Sequence, residues 1–320
     1  MLNQFQHLVP ETSSGRQQLP MSKRYLANNE SLIKKALYLR LMAADIAEGM
    51  KSGNFRSLYR GQGIEFAGVR DYIRGDDIRT IDWNVTARMG RPYIKVFEEE
   101  RELQLFIIVD SSASMTLENN TGRKTKYAAA AEAAALIAIA AELNSCPAGA
   151  VLFDGAIHFS SEPVLGKEQT MQILNHLDRL PEVITKGSAL PNAITAAAKV
   201  LRKRSLVFIL SDFRCSDWEK PLIQLAQKND VIALRLQDAA DEELPSLGTV
   251  VFQDAESGIK MSLPSSSESF KKEWRNYNSL HTKCWQDFCI KHGIMPVILD
   301  TKNEPVQVIS QIFARKARAR

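Results

Sequence analysis

Two stretches of this chain are apolar almost without interruption and then stop on polar residues. Leu103-Gln-Leu-Phe-Ile-Ile-Val runs into Asp110-Ser-Ser-Ala-Ser114, and Ser205-Leu-Val-Phe-Ile-Leu210 runs into Ser211-Asp212-Phe213. Strands with so little alternation are covered on both faces, as in the middle of a parallel sheet. Their polar ends then lie at the carboxyl edge, where open α/β sheets bind ligands. Apolar positions at three- and four-residue spacing predict helices from Ser31 to about Met50, over Lys124–Leu143, Gln169–Leu180, Ala189–Leu201 and Asp217–Lys228, from about Ser269 to His292, and over Val306–Phe313. Shorter runs predict strands at Ala148–Phe153, Ile157–Phe159, Val231–Leu236 and Met295–Leu299, with Asp154-Gly155 turning the first two into a hairpin. Residues 248–263 read as a second hairpin. Strands alternating with helices give the α/β class: a mostly parallel sheet with helices on both faces, preceded by an N-terminal helix and a charged extended segment.

The chemistry concentrates behind those two strands. Asp110, Ser112 and Ser114 alternate, so a tight loop brings their oxygens towards one point. Short oxygen ligands without His or Cys suit Mg²⁺ or Mn²⁺ better than zinc. D-x-S-x-S arises by chance in roughly one chain of this length in ten, so its place behind a buried strand matters. There it resembles the metal-ion-dependent adhesion site (MIDAS) of von Willebrand factor A (vWA) domains. The resemblance implies a vWA-like, Rossmann-type fold and one metal ion ligated directly by both serines, with the aspartate acting through water. It also implies a threonine from a second loop, an aspartate after a later strand, and an open position for an acidic residue of a partner. Gly187-Ser188 aligns with the family's Gly-Thr, which puts Ser188 in the threonine's place. Serine keeps the hydroxyl but lacks the β-branch that restricts its rotamers. Thr185 is the rival ligand, and Ser188 can instead cap the following helix. Asp212 takes the place of the distal aspartate; its alternatives are a helix cap or neutralisation by Arg214.

Residues 54–102 interleave arginines, acids and aromatics. The block includes Gly61-x-Gly63-x-Glu65-Phe66, Arg70-x-Tyr72, Gly75-Asp-Asp-x-Arg79-x-Ile81-Asp-Trp83 and Glu98-Glu-Glu-Arg101. We read a partly buried Arg–carboxylate network with a short helix around Asp76–Arg88, locked to its neighbour by Trp83 and Arg79. The block closely resembles bacterial vWA-like proteins that carry a conserved domain of unknown function. That resemblance implies a MoxR-class AAA+ ATPase as partner, in a chaperone-like system that remodels or matures other proteins.

The expected organisation is a loose tail (1–28), a helix with the Arg/acid segment (29–102), a vWA-like domain (103–314) with its hairpin at 248–263, and a basic tail (315–320). The 320 residues carry 45% apolar and 24% charged positions and a net charge of +4, ordinary for a globular protein and too small for a strong global pull on nucleic acid. No uninterrupted apolar run is long enough to span a membrane, and no secretory signal opens the chain. Four scattered cysteines fit reduced thiols in a cytoplasmic protein. There is no G-x-x-x-x-G-K-[ST], H-E-x-x-H or G-x-S-x-G, so the expectation is a non-enzymatic, metal-dependent interaction module. The alternatives are a metal-dependent phosphoesterase or nuclease, and a nucleic-acid binder acting through its basic segments.

Overall fold

The computed structural model describes residues 8–10, 32, 36–51, 64–99, 103–117, 124–179, 185, 187–242, 249–254 and 260–315. The chain divides into two compact units, residues 51–103 and the remainder. The first helix, α1 (Ala36–Lys51), packs with the larger unit. Its Arg40 pairs with Glu142 at 2.8 Å, and the Ala47 carbonyl accepts from Asn144.

The larger unit is built on a six-stranded sheet in the order β11-β8-β7-β4-β5-β6. These strands are β4 (Leu105–Asp110), β5 (Ala148–Phe153), β6 (Ile157–Val164), β7 (Leu206–Ser211), β8 (Asp230–Gln237) and β11 (Met295–Asp300). All neighbours are parallel except β6, which pairs antiparallel with β5 at one edge. Every residue of β4, β5 and β7 is buried, as the unbroken apolar runs require. The chain leaves β4 towards β5 on one side and returns to β7 on the other. The central strand is therefore the switch point of the sheet, the place at which open α/β sheets bind ligands.

One face carries Phe106, Ile108, Val207, Ile209, Val231 and Ala233 against α6 (Leu190–Val200), α7 (Glu219–Lys228) and α9 (Glu268–Lys291). The other is packed by α4 (Lys126–Leu143), flanked by α5 (Lys167–Asp178) and α10 (Pro305–Arg315). Alanines dominate α4, and nearly all of its residues are buried. A helix apolar on every side belongs in an interior, and its small side chains let neighbours approach. Two short helices, α3 (Ala113–Thr116) and α8 (Ala239–Glu242), follow β4 and β8.

The hairpin at 248–263 forms as β9 (Thr249–Asp254) and β10 (Lys260–Pro264). A strand within the expected loose tail, β1 (Leu8–Pro10), adds to it by pairing with β9. Three residues carry no periodicity, so the sequence could not reveal it.

The smaller unit pairs β2 (Ile64–Asp71) antiparallel with β3 (Tyr93–Glu99), with a 3₁₀ turn at Ile78–Thr80 and α2 (Trp83–Met89) between them. Asp77 and Asp82 cap the turn and the helix. Two sequence readings need correction here. Among the described residues, Arg70 and Asp76 make a bidentate contact at 2.8 Å that is exposed and local rather than buried. Trp83 is 67% exposed, which does not fit the packing role expected of it. The side chains of Glu65 and Phe66, and residues 55–63, 100–102 and 316–320, lie outside the described residues.

Candidate metal centre

Alternation along β4 puts Asp110 on the same face as Phe106 and Ile108, at the strand's end. Its Oδ1 accepts from the backbone N–H of Ser112 at 2.9 Å, which folds the loop back over the strand. Its Oδ2 accepts from the Ser211 hydroxyl of adjacent β7 at 2.6 Å. The Ser112 and Ser114 hydroxyl oxygens lie 3.2 Å apart. Ser111 points elsewhere, donating through both N–H and Oγ–H to the Phe153 carbonyl and fastening the loop to β5. The convergence expected of Asp110, Ser112 and Ser114 is present, and all three are buried.

Asp212 follows β7, and its Oδ1 accepts from the Arg214 backbone at 3.2 Å. The Arg214 guanidinium donates to Asp241 and to Asn278 Oδ1. A cation that sequence reasoning missed also reaches Asp212. The Lys126 ammonium, from the first residue of α4, lies 3.4 Å from Asp212 Oδ2 and 3.5 Å from Asp241 Oδ2. A lysine in a helix's first turn opposes the macrodipole, and that was the available signal. Burial alone would lower the Lys126 pKa, but Asp241, Asp212 and Asp238 outweigh it and raise it, so the ammonium is charged. Asp212 is still felt at Asp110, whose carboxyl is pushed up to about 7, first by burial and then by the Asp212 charge. The two acids are thus neighbours, and Lys126 does not extinguish their repulsion.

The second loop is tied to the residue after β5. The Ala189 N–H donates to the Asp154 carbonyl at 2.6 Å, and the Thr185 N–H to Asp154 Oδ2 at 2.8 Å. His158 Nε2 meets the other carboxylate oxygen at 2.9 Å. Gly187 adopts a φ of +89°, which favours glycine there. Ser188 does not cap the helix: the N-cap position of α6 is Ala189, and no side chain caps it. Its hydroxyl is buried without any hydrogen-bond partner. Thr185, the rival, is exposed.

Beside the centre, Arg235 of β8 is paired in register with Ser211. It is fully buried, lies over the Trp285 ring, donates through Nη2 to His281 Nδ1 at 2.9 Å, and leaves Nε and Nη1 without a hydrogen-bond partner. Nothing in the sequence pattern marked this arginine.

These donors fit a small hard cation. Two buried acids repel, two hydroxyls face each other, and a third hydroxyl has no partner, which buried polar groups seldom tolerate. Among the described residues no three His, Cys, Asp or Glu side chains are grouped to hold a metal ion. An ion here would rest on hydroxyls and two carboxylates.

A family model described as "Protein of unknown function DUF58" matches residues 68–283. An uncharacterized protein of Mycobacterium bovis is 33% identical over 224 residues, covering 69% of this chain and 70% of that protein. An uncharacterized protein of Mycobacterium avium is 41% identical over 71 residues, 22% of this chain and 42% of that protein. Among solved structures, the conserved hypothetical protein BatB from Bacteroides thetaiotaomicron is similar at a TM-score of 0.44 and 17% identity, covering 68% of this chain and 100% of that one. An aerotolerance-related membrane protein from Bacteroides fragilis gives 0.44 and 16%, covering 67% and 99%. No helix among the described residues of the present chain is long and apolar enough to cross a membrane.

Proposed function

The chain belongs to the DUF58 family, and from that premise we propose that it is a non-enzymatic interaction module with a vWA-like sheet unit and a MIDAS-type centre. Asp110, Ser112, Ser114, Ser188 and Asp212 would hold one Mg²⁺ or Mn²⁺. The observation that carries this is the buried, partnerless Ser188 hydroxyl, on a loop anchored beside the strand that presents Asp110 and the serine pair. The bound ion supplies positive charge and an open position for a carboxylate. Hydroxyl ligands cancel little of that charge, which favours an anionic sixth ligand from another protein. The chain's own residues preorganise the site. Ser111 fixes the loop to β5, and Ser211 orients the Asp110 carboxylate.

The resemblance of the 54–102 block extends the proposal to the partner: a MoxR-class AAA+ ATPase, with which the protein acts in remodelling or maturing other proteins. The test has two parts. Mg²⁺ and Mn²⁺ are titrated calorimetrically into EDTA-stripped protein and its Asp110→Ala and Ser112→Ala variants. Capture of the ATPase is then compared with and without EDTA. Binding that persists in the variants, or capture indifferent to EDTA, rejects the metal bridge. Release of phosphate or cleaved nucleic acid, lost in Asp110→Ala, replaces the module with a hydrolase.

A further inference from the structure

We propose that Lys126 is a tethered competitor of the metal ion: it holds Asp212 when the ion is absent and yields it when the ion binds. The inference rests on the metal-centre reading above and adds how that centre is regulated. Three observations lead to it. The Lys126 ammonium is buried yet sits 3.4 Å and 3.5 Å from two carboxylates. Tight charge-assisted hydrogen bonds are about 2.7–2.9 Å, so the ammonium is shared between Asp212 and Asp241 and tight to neither. The second observation is that Asp241 is a prepared alternative berth. Its position is fixed independently by Arg214 and by the Asp238 backbone N–H at 3.0 Å. A small swing of a flexible four-carbon stem moves the ammonium wholly onto it.

The third observation is the charge inventory. Lys126, Arg214 and Arg235 stand buried beside Asp212, Asp238 and Asp241, so the acids at this sheet edge already have cations. A divalent ion drawing on Asp212 brings a second cation to one carboxylate. Two cations close together in a low-dielectric site repel strongly, so the lysine lowers the affinity for the ion. It also keeps Asp212 partnered while no ion is present, since an unpaired buried charge is destabilising. Release of Lys126 towards Asp241 in turn reaches Arg214 and, through it, Asn278 of α9. Occupancy of the centre is thereby coupled to that helix.

The experiment titrates MgCl₂ into EDTA-stripped full-length wild type, Lys126→Gln, Lys126→Arg and Asp241→Asn by calorimetry, with melting temperatures in EDTA and in Mg²⁺. Lys126→Gln is expected to bind Mg²⁺ about tenfold or more tightly than wild type, to melt lower in EDTA and to gain more from Mg²⁺. Lys126→Arg stays near wild type. Asp241→Asn, which removes the alternative berth, binds more weakly, and it decides the matter should Lys126→Gln fail to fold. Binding by Lys126→Gln with none by wild type also supports the competitor. Equal or weaker binding by Lys126→Gln than by wild type overturns it, as does unchanged affinity in Asp241→Asn. No binding by any variant rejects the metal centre itself, a separate result.

Discussion

Replacing Asp110 by Asn is expected to stabilise the metal-free protein while abolishing its response to Mg²⁺. In the absence of an ion the Asp110 carboxyl is moved from 3.8 up to about 7, by burial and then by Asp212. The unfolded chain carries an ordinary carboxylate at pH 7–8, whereas the fold disfavours one, a difference of about 4 kcal/mol against folding. The sign follows from a raised folded-state value: the protonated group suits the fold at low pH, and this is lost as pH rises from about 4 through 7. The amide keeps an acceptor for the Ser112 N–H and presents a donor to the Ser211 oxygen. Refitting that second hydrogen bond costs about 1–2 kcal/mol, which leaves a net gain of about 2–3 kcal/mol. Urea denaturation at pH 7.5 in EDTA measures it. With saturating Mg²⁺ the wild type gains stability by ion binding and the variant does not, so the gap between them narrows or inverts. A variant less stable than wild type in EDTA, or one that Mg²⁺ stabilises equally, refutes the reasoning.

Three further outcomes are expected. Gly149→Ala places a Cβ 2.7 Å from the Ser161 carbonyl and 2.8 Å from the Pro163 nitrogen, both backbone; denaturation should show a loss of about 2–4 kcal/mol. His281 is held down to about 4 by burial, then by Arg235 and Arg214. Its contribution is present above about 6.5 and lost as pH falls towards 4, so the stability of wild type relative to His281→Gln should drop across that window. The drop should be about 1–2 kcal/mol, allowing for partial solvent screening, and should be visible in pH-dependent melting. Trp83→Ala should change folding stability by no more than about 0.5 kcal/mol, because the indole is exposed; a fall of several degrees in melting temperature would restore its packing role.

What the sequence revealed follows the range of the signal. The strands at 105–110 and 206–211 were legible because burial on both faces leaves an unbroken apolar run, and the acids behind them are adjacent in sequence. The edge strand was seen only as Ile157–Phe159. Its continuation through Ser160, Ser161, Glu162 and Pro163 is polar because one side faces solvent. Lys126 was hidden inside a helix that otherwise reads as plain core, since its partners Asp212 and Asp241 lie 86 and 115 positions further along. Arg235 and His281 are likewise joined only by the fold. The arginines of the smaller unit misled in the opposite direction. Density of charge suggested burial, yet Arg70 and Asp76 satisfy each other across one turn and need no interior.

The pairing of Leu8–Pro10 with residues 252–254 bears on biosynthesis. During translation the early strand leaves the ribosome more than 200 residues before its mate exists, and contacts of such separation form slowly. Until then the segment is an unpaired edge, open to chaperones or to the wrong neighbour. That small sheet closes only once residues 252–254 have been made.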